Sequence, residues 1–334
     1  MGVSAQRATR PSRALRMGVI GCADIAERRM IPSMLRQPLV DLVAVASRDA
    51  GKAARFAARF GCAGVGSYEA LLDRDDIDAV YLPLPPPLHA PWIEKALAAG
   101  KHVLCEKPLA ATLGEAERAV RAAQETGLLL MESFMFLHHR QHEEVRGLVA
   151  SGAIGELRSF SCDFAFPPLP REHSRYLARS GSALLEVGVY PIRAAQFVLG
   201  PGLEIVGAQL KRDPERDADV SGSALLCLPD GVSAHLTFGL EHSYRCTYAL
   251  WGSEGRLVLD RAFTPPDALR PTVRIERQDG VREHTFAADR QFVNIVGHFA
   301  HTVLSGGPFA SQYTAILRQA RLVEAVGRQA RVAP

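Results

Sequence analysis

The chain has 334 residues, with 39 lysines and arginines against 36 aspartates and glutamates and a formal net charge of +3. That length exceeds what a single hydrophobic core usually holds, so two domains are expected, and so small a charge offers nothing to a nucleic acid. No apolar run reaches the roughly eighteen residues of a membrane span, and no signal-type apolar segment follows the N-terminal arginines, so a cytoplasmic protein is expected.

The six cysteines, at positions 22, 62, 105, 162, 227 and 246, form neither a Cys-x-x-Cys pair nor a Cys/His cluster. A disulfide framework and a metal site are therefore both unexpected. Residues 1–15 read as a disordered, arginine-bearing tail. From Met17 to about Leu130, short apolar runs alternate with longer amphipathic ones, the pattern of a parallel sheet with crossover helices. Strands are predicted at 17–21, 42–47, 79–83, 102–105 and 128–132, with helices at 25–35, 51–60, 68–72, 91–99 and 113–125 between them. Beyond Ser151 the rhythm changes to a helix at 183–199 followed by strands at 203–210, 222–228, 232–239, 246–252, 256–259 and 273–278. The turns Pro229-Asp230-Gly231 and Gln278-Asp279-Gly280 favour hairpins, and helices at 292–304 and 313–326 close the chain. The fold expected is α/β: a Rossmann domain over 16–135 and an α+β domain over 136–334 with a large, mostly antiparallel open sheet, its last helices returning toward the first domain.

The first strand runs into Gly21-Cys22-Ala23-Asp24-Ile25-Ala26, which keeps the spacing of the dinucleotide fingerprint with alanine at its second and third glycine positions. Gly21 permits the tight turn, Ala23 lets backbone approach a pyrophosphate, and Ala26 allows the helix to pack on the strand. After the second strand, an NAD enzyme usually carries an acidic residue for the ribose hydroxyls, whereas this chain has Ser47 and Arg48, with Lys52 one turn further on. These suit a 2′-phosphate and point to NADP, leaving Asp49 as a helix cap. The segment from Leu82 and Pro83 to His89 holds an extended, proline-bound loop over the carboxyl edge of the sheet, where a coenzyme would lie. His89 itself reads as a turn or cap residue rather than a catalyst. The chain has only five lysines. One of them, Lys107, stands at the end of an apolar strand in Gly100-Lys101-His102-Val103-Leu104-Cys105-Glu106-Lys107-Pro108, where Pro108 restricts its backbone and a cleft would keep its ammonium hydrated.

Together these motifs, and Glu106-Lys107-Pro108 above all, resemble the glucose-fructose oxidoreductase / inositol dehydrogenase / rhizopine-catabolism (Gfo/Idh/MocA) family over nearly the whole chain from Met17. The resemblance implies hydride transfer between a nicotinamide and a carbon of a sugar, polyol or diol, with Glu106 and Lys107 beside the coenzyme. It also implies a homodimer or homotetramer built through the C-terminal sheet. Many relatives carry Asp and then, four residues later, His on the first helix of the second domain; here Glu186 and Tyr190 stand there, on one face of a helix. Tyrosine at that place is similar to the sugar ketoreductases and the xylose or dihydrodiol dehydrogenases of the family. It implies Tyr190 as proton donor, Lys107 as the cation that polarises a ketone, and Glu186 as either an orienter of that lysine or a helix cap.

Within the family the chain resembles NADPH-dependent ketoreductases acting at C-3 of nucleotide-linked 3,4-diketo-6-deoxysugars, as in kijanose-type antibiotic pathways. Alternatives are an NADP-dependent dehydrogenase of a free aldose or trans-dihydrodiol and, more distantly, an NADP-binding sensor without turnover. A nucleotide-linked substrate needs cations for its diphosphate and aromatic surface for its base. Phe164, Arg171, Arg175 and Tyr176 are candidates, as are Tyr244 and Trp251. The loop from Phe134 to Gln141 departs from the family pattern, with Leu137 where relatives commonly have arginine and Arg140 where proline is common.

Overall fold

The computed structural model describes residues 13–168, 182–215 and 217–333. Arg171, Arg175 and Tyr176 lie outside the described residues. Leu15, expected within the tail, instead opens the first strand.

Six strands form a wholly parallel sheet: β1 (Leu15–Ile20), β2 (Val40–Ala46), β3 (Ala63–Val65), β4 (Ala79–Leu82), β5 (His102–Cys105) and β6 (Leu130–Glu132), in the order β3-β2-β1-β4-β5-β6. Apolar side chains fill both faces, so β4 is buried at every position and β1 nearly so. The crossovers are α1 (Ile31–Met34), α2 (Ala50–Phe60), α3 (Tyr68–Leu72), α4 (His89–Ala98) and α5 (Leu113–Thr126). Local chemistry sets their ends. Asp49, Ser67 and Thr112 accept hydrogen bonds from the backbone N–H groups of Lys52, Ala70 and Glu115, while Gly61 and Gly127 close α2 and α5 in the left-handed conformation.

A helix α6 (Arg140–Ala150) leads to the second sheet, of nine strands: β7 (Leu157–Ala165), β8 (Glu204–Asp213), β9 (Ala218–Cys227), β10 (Ser233–Gly239), β11 (Arg245–Gly252), β12 (Arg256–Asp260), β13 (Thr272–Arg277), β14 (Gly280–Thr285) and β15 (Ala330–Ala333). Their order is β14-β13-β12-β11-β7-β10-β9-β8-β15. Pairing is antiparallel except at β7–β10 and β8–β15. The two turns read from the sequence do join antiparallel neighbours, β9 to β10 and β13 to β14. On one face lies α7 (Val189–Leu199); α8 (Gln291–Leu304) and α9 (Ala310–Gln329) come between β14 and the edge strand β15. The hydroxyl of Tyr313 on α9 donates to the Leu128 carbonyl at 2.7 Å, and Gln37 donates to the Val293 carbonyl of α8 at 3.3 Å, so both final helices are fastened to the parallel-sheet half.

Two of the predicted helices contain a feature that periodicity does not reveal. The stretches Ala26–Met30 and Leu184–Gly188 are π-helical, with Ile31 N–H reaching the Ala26 carbonyl and Val189 N–H reaching that of Leu184. Each is followed within three residues by a proline, Pro32 or Pro191. Proline has no N–H to give and crowds the carbonyl four residues earlier, so a wider turn just before it relieves the ladder.

The edge of the first sheet is fixed by Asp78 at the entry to β4. Its carboxylate accepts from the Arg16 backbone at 3.0 Å and from the Arg16 and Arg13 guanidinium groups at 2.7 and 2.8 Å. Although partial burial opposes its charge, these hydrogen bonds hold the Asp78 carboxyl far below the usual range. A depressed folded-state pKa stabilises the fold above the unfolded value of about 4 and ceases to do so as pH falls through the folded one. Asp78→Asn is therefore expected to cost on the order of 1–2 kcal/mol at pH 7 in urea unfolding, the gap to the parent narrowing steadily below about pH 4.

Candidate active site

Between the two sheets lies a cleft of about 450 Å³, lined from the first half by Ala23, Asp24, Ile25, Pro83, Glu106 and Lys107, and from the second by Glu186 and Tyr190. The sequence had singled out every one of these. Gly21, at φ +116°, makes the turn that opens the cleft floor; a Cβ there would stand 2.8 Å from Leu84 Cδ2. Only glycine fits. Cys22 turns inward, its Sγ 3.8 Å from the Ala46 carbonyl oxygen, and Ala26 is buried against the strand. Ser47 is buried at the end of β2 with its hydroxyl accepting from Asp49 N–H, while Arg48 reaches toward Tyr68 and Lys52 begins α2 beside it.

Lys107 and Tyr190 come from different halves and meet. The Lys107 side chain is 15% exposed; its Nζ lies 5.3 Å from the centre of the Tyr190 ring, donates to the Glu186 carbonyl oxygen at 3.1 Å and stands 3.5 Å from Glu186 Oε2. Glu186 thus holds the ammonium with both its backbone and its carboxylate. Burial works against the lysine charge, but Tyr190, Glu186 and Glu106 outweigh it and raise the ammonium above its ordinary pKa. Burial pushes the Tyr190 phenol up to about 12, against the lowering effect of Lys107. Phe134, Phe136, Phe164 and Phe263 surround that phenol, with ring centres 4.9–5.9 Å away, and its hydroxyl points to Met135 Sδ at 3.9 Å. Glu106 accepts from the Tyr81 hydroxyl at 2.7 Å, and burial raises its carboxyl above the ordinary range despite that bond and the neighbouring ammonium.

Behind this pair the loops are stitched together. The Lys107–Pro108 bond is cis. His89 is fully buried with its ring nitrogens 2.8 and 2.7 Å from the carbonyl oxygens of Pro108 and Leu84, tying the lysine motif to the proline wall of the cleft. Glu132 Oε1 accepts from Leu109 N–H at 2.9 Å on the far side of Pro108.

Several expected contacts fall elsewhere. His89 cannot touch a coenzyme, since both nitrogens face protein carbonyls inside the wall, and the Leu82 side chain is likewise wholly enclosed in the sheet. Phe164 is 2% exposed and packs beneath Tyr190, supporting that ring rather than facing the cleft. Trp251 is 61% exposed on the outward face of the second sheet, paired with Ser159 and Arg256. Tyr244 reaches the cleft only indirectly, through a 2.8 Å hydrogen bond to Thr264, which lines it. Arg140 bonds to Glu144 and Asp289. The cleft also takes Arg29, Met135, Thr264, Gln291 and Phe292, which the sequence reading did not select. An arginine on the helix after the coenzyme turn and a Gln-Phe pair opening α8 were the available signals. Among the described residues, no group of three or more His, Cys, Asp or Glu side chains is placed to hold a metal ion, and no helix is long and apolar enough to cross a membrane.

A parallel sheet in Rossmann order, a glycine-hinged turn at its edge and a lysine facing a buried tyrosine across a cleft define a dinucleotide-dependent oxidoreductase. Residues 15–134 match the oxidoreductase family with an NAD-binding Rossmann fold, and residues 142–258 match the Gfo/Idh/MocA C-terminal domain. The chain belongs to the Gfo/Idh/MocA oxidoreductase family. It is 52% identical, over 96% of its length and 99% of the relative, to dTDP-3,4-didehydro-2,6-dideoxy-alpha-D-glucose 3-reductase of Streptomyces antibioticus. It is 32% identical to D-xylose 1-dehydrogenase (NADP(+)) 2 of Haloferax volcanii, over 86% of this chain and 89% of that one. Among solved structures it superposes with a TM-score of 0.93 and 51% identity on a 3-ketoreductase from Actinomadura kijaniata in complex with NADP and TDP-benzene, covering 96% of this chain and all of that one.

Burial holds the His89 imidazole below its ordinary pKa, so the neutral ring donates to one of the Pro108 and Leu84 carbonyls, and His89→Leu strands that one. The expected loss is about 1–3 kcal/mol in equilibrium urea unfolding. A variant as stable as the parent would remove that role.

Proposed function

We propose that this chain is an NADPH-dependent ketoreductase that reduces the C-3 ketone of a dTDP-linked 3,4-diketo-6-deoxysugar in antibiotic deoxysugar biosynthesis. The observation that carries this reading is the Lys107 ammonium over the Tyr190 ring, inside a cleft whose coenzyme turn adjoins it. The extent of similarity to the Streptomyces 3-reductase supports the substrate class.

The residues present suit the coenzyme: Gly21 permits the tight turn that brings Ala23 to the cleft wall, and outside that lining Ser47, Arg48 and Lys52, between the end of β2 and the first turn of α2, offer a hydroxyl and two cations to a 2′-phosphate. When bound, NADPH supplies the hydride. The ketone oxygen then needs a proton, and Tyr190 Oη is the donor, since burial keeps it protonated at rest. Lys107 polarises the carbonyl beforehand and stabilises the tyrosinate afterwards. Glu186 holds Lys107 at that position. The phenylalanines around Tyr190 exclude water, which strengthens both charge interactions.

The reading is tested by following NADPH oxidation with dTDP-linked 3,4-diketo-deoxysugars and, separately, NADP+ reduction with free aldoses; turnover with aldoses alone would overturn it. Lys107→Ala and Tyr190→Phe are each expected to lower turnover roughly 10²- to 10⁴-fold while NADPH still binds. Because the donor must be protonated and its pKa is raised, kcat/KM for reduction should fall only above the ordinary tyrosine value of about 10. A loss already complete by pH 8 would exclude Tyr190 as the acid.

We also propose a homo-oligomer formed through the outward face of the second sheet. Ser159, Ser161, Ser223, His235 and Thr237 share that face in register across β7, β9 and β10, with Trp251 exposed beside Ser159. Light scattering should give a dimer or tetramer for the parent and a smaller species for Trp251→Glu; a monomeric parent would refute this assembly.

A further inference from the structure

Five charged residues line the cleft: Asp24, Arg29, Glu106, Lys107 and Glu186. Four of them are already engaged. Asp24 pairs with Arg28, Lys107 with Glu186, and Glu106 accepts from Tyr81. Arg29 differs: among the described residues it has no carboxylate partner, and its guanidinium rests against the Phe292 ring, 6.0 Å from the centre. A guanidinium in cation–π contact with a ring spends no N–H donor on a hydrogen bond, so its planar fork stays open to a phosphate. The contact also favours one placement of the side chain before any ligand arrives.

Two phosphate-bearing groups would enter this cleft. The coenzyme pyrophosphate belongs at the Ala23-Asp24-Ile25 turn, where Arg28 is already occupied with Asp24. Arg29 extends instead toward α8 of the second half, whose first residues Gln291 and Phe292 form that wall of the cleft with Thr264 and Pro265. This is the half that carries Tyr190 and hence the side from which the sugar ring must be presented. We propose that Arg29 binds the diphosphate of the nucleotide-linked substrate, with Phe292 as the surface that holds its guanidinium ready. The proposal rests on the nucleotide-sugar reading above. It makes Arg29 and Phe292 selective for a nucleotide-linked ketone over a free sugar, a choice that Lys107 and Tyr190 do not make because both reactions pass a hydride and a proton across a carbon–oxygen bond held by that same pair.

The test is calorimetric titration of the full chain with dTDP, with thymidine and, separately, with NADPH. In Arg29→Ala, dTDP affinity should fall roughly 10- to 100-fold, while thymidine and NADPH stay within about twofold of the parent. Arg29→Lys, which keeps the charge but loses the fork and the stack, should fall between, as should Phe292→Leu. Unchanged dTDP affinity in Arg29→Ala overturns the proposal, and so does an equal fall in NADPH affinity, which would assign Arg29 to the coenzyme. A parent chain that binds NADPH but not dTDP would instead remove the nucleotide-sugar reading on which the proposal stands.

Discussion

An ammonium held nearly out of water between two halves of the chain is the constraint on which the rest of this structure depends. Lys107 leaves the parallel sheet at the end of β5, and a charge in that position is tolerable only with close anionic and hydrogen-bonding partners. Glu186 provides both, from a helix of the other half. The ion pair therefore does more than set a pKa: it defines how the halves face one another at the cleft. The His89 bridge and the Glu132 carboxylate both act on the short backbone segment that carries this lysine. So many restraints around one residue suit a group whose position must be set before a substrate arrives.

The tyrosine is handled in the opposite way. Lys107 is fixed by polar contacts, whereas Tyr190 is fixed by rings on several sides, and its hydroxyl's hydrogen-bond partner among the described residues is a thioether. A phenol without a strong acceptor keeps its proton, and the nearby cation makes that proton easier to surrender once negative charge appears next to it. Separating the two functions in this way gives a site that is charged yet dry.

Sequence reading reached the parallel half almost completely, because its strands are buried on both faces and stand as uninterrupted apolar runs. It missed β7, the strand between β11 and β10, although Leu157–Ala165 alternates Phe160, Cys162 and Phe164 with Ser159, Ser161 and Asp163, the period of a half-buried strand. It missed β14, exposed along its whole length, and α6, whose first turns are polar. Of the site, the residues carried by contiguous motifs were legible: the turn after β1, the end of β5 and the Glu186/Tyr190 spacing. Residues that meet only through tertiary packing were not. Trp251 and Phe164 illustrate the limit, since alternation identifies two faces of a strand but does not say which one a helix covers. Arg29 and Phe292 illustrate the converse, being more than 260 positions apart in the chain and in contact in the fold.

The two π-turns have a consequence for how such a chain can vary. Each accommodates one residue more than an α-helix would place in the same rise, and each lies just upstream of a proline that prevents the ladder from closing. Loss of a single residue from Leu184–Gly188 would return the helix to ordinary winding. The segments before and after it would keep their facing, because the wider turn already absorbs the extra residue, but the ladder ahead of Pro191 would have to close where the proline offers no N–H. The residue count at each turn is thus tied to the proline that follows it. A one-residue deletion there meets a backbone that cannot re-close its ladder, whereas the same deletion in a surface connection is absorbed.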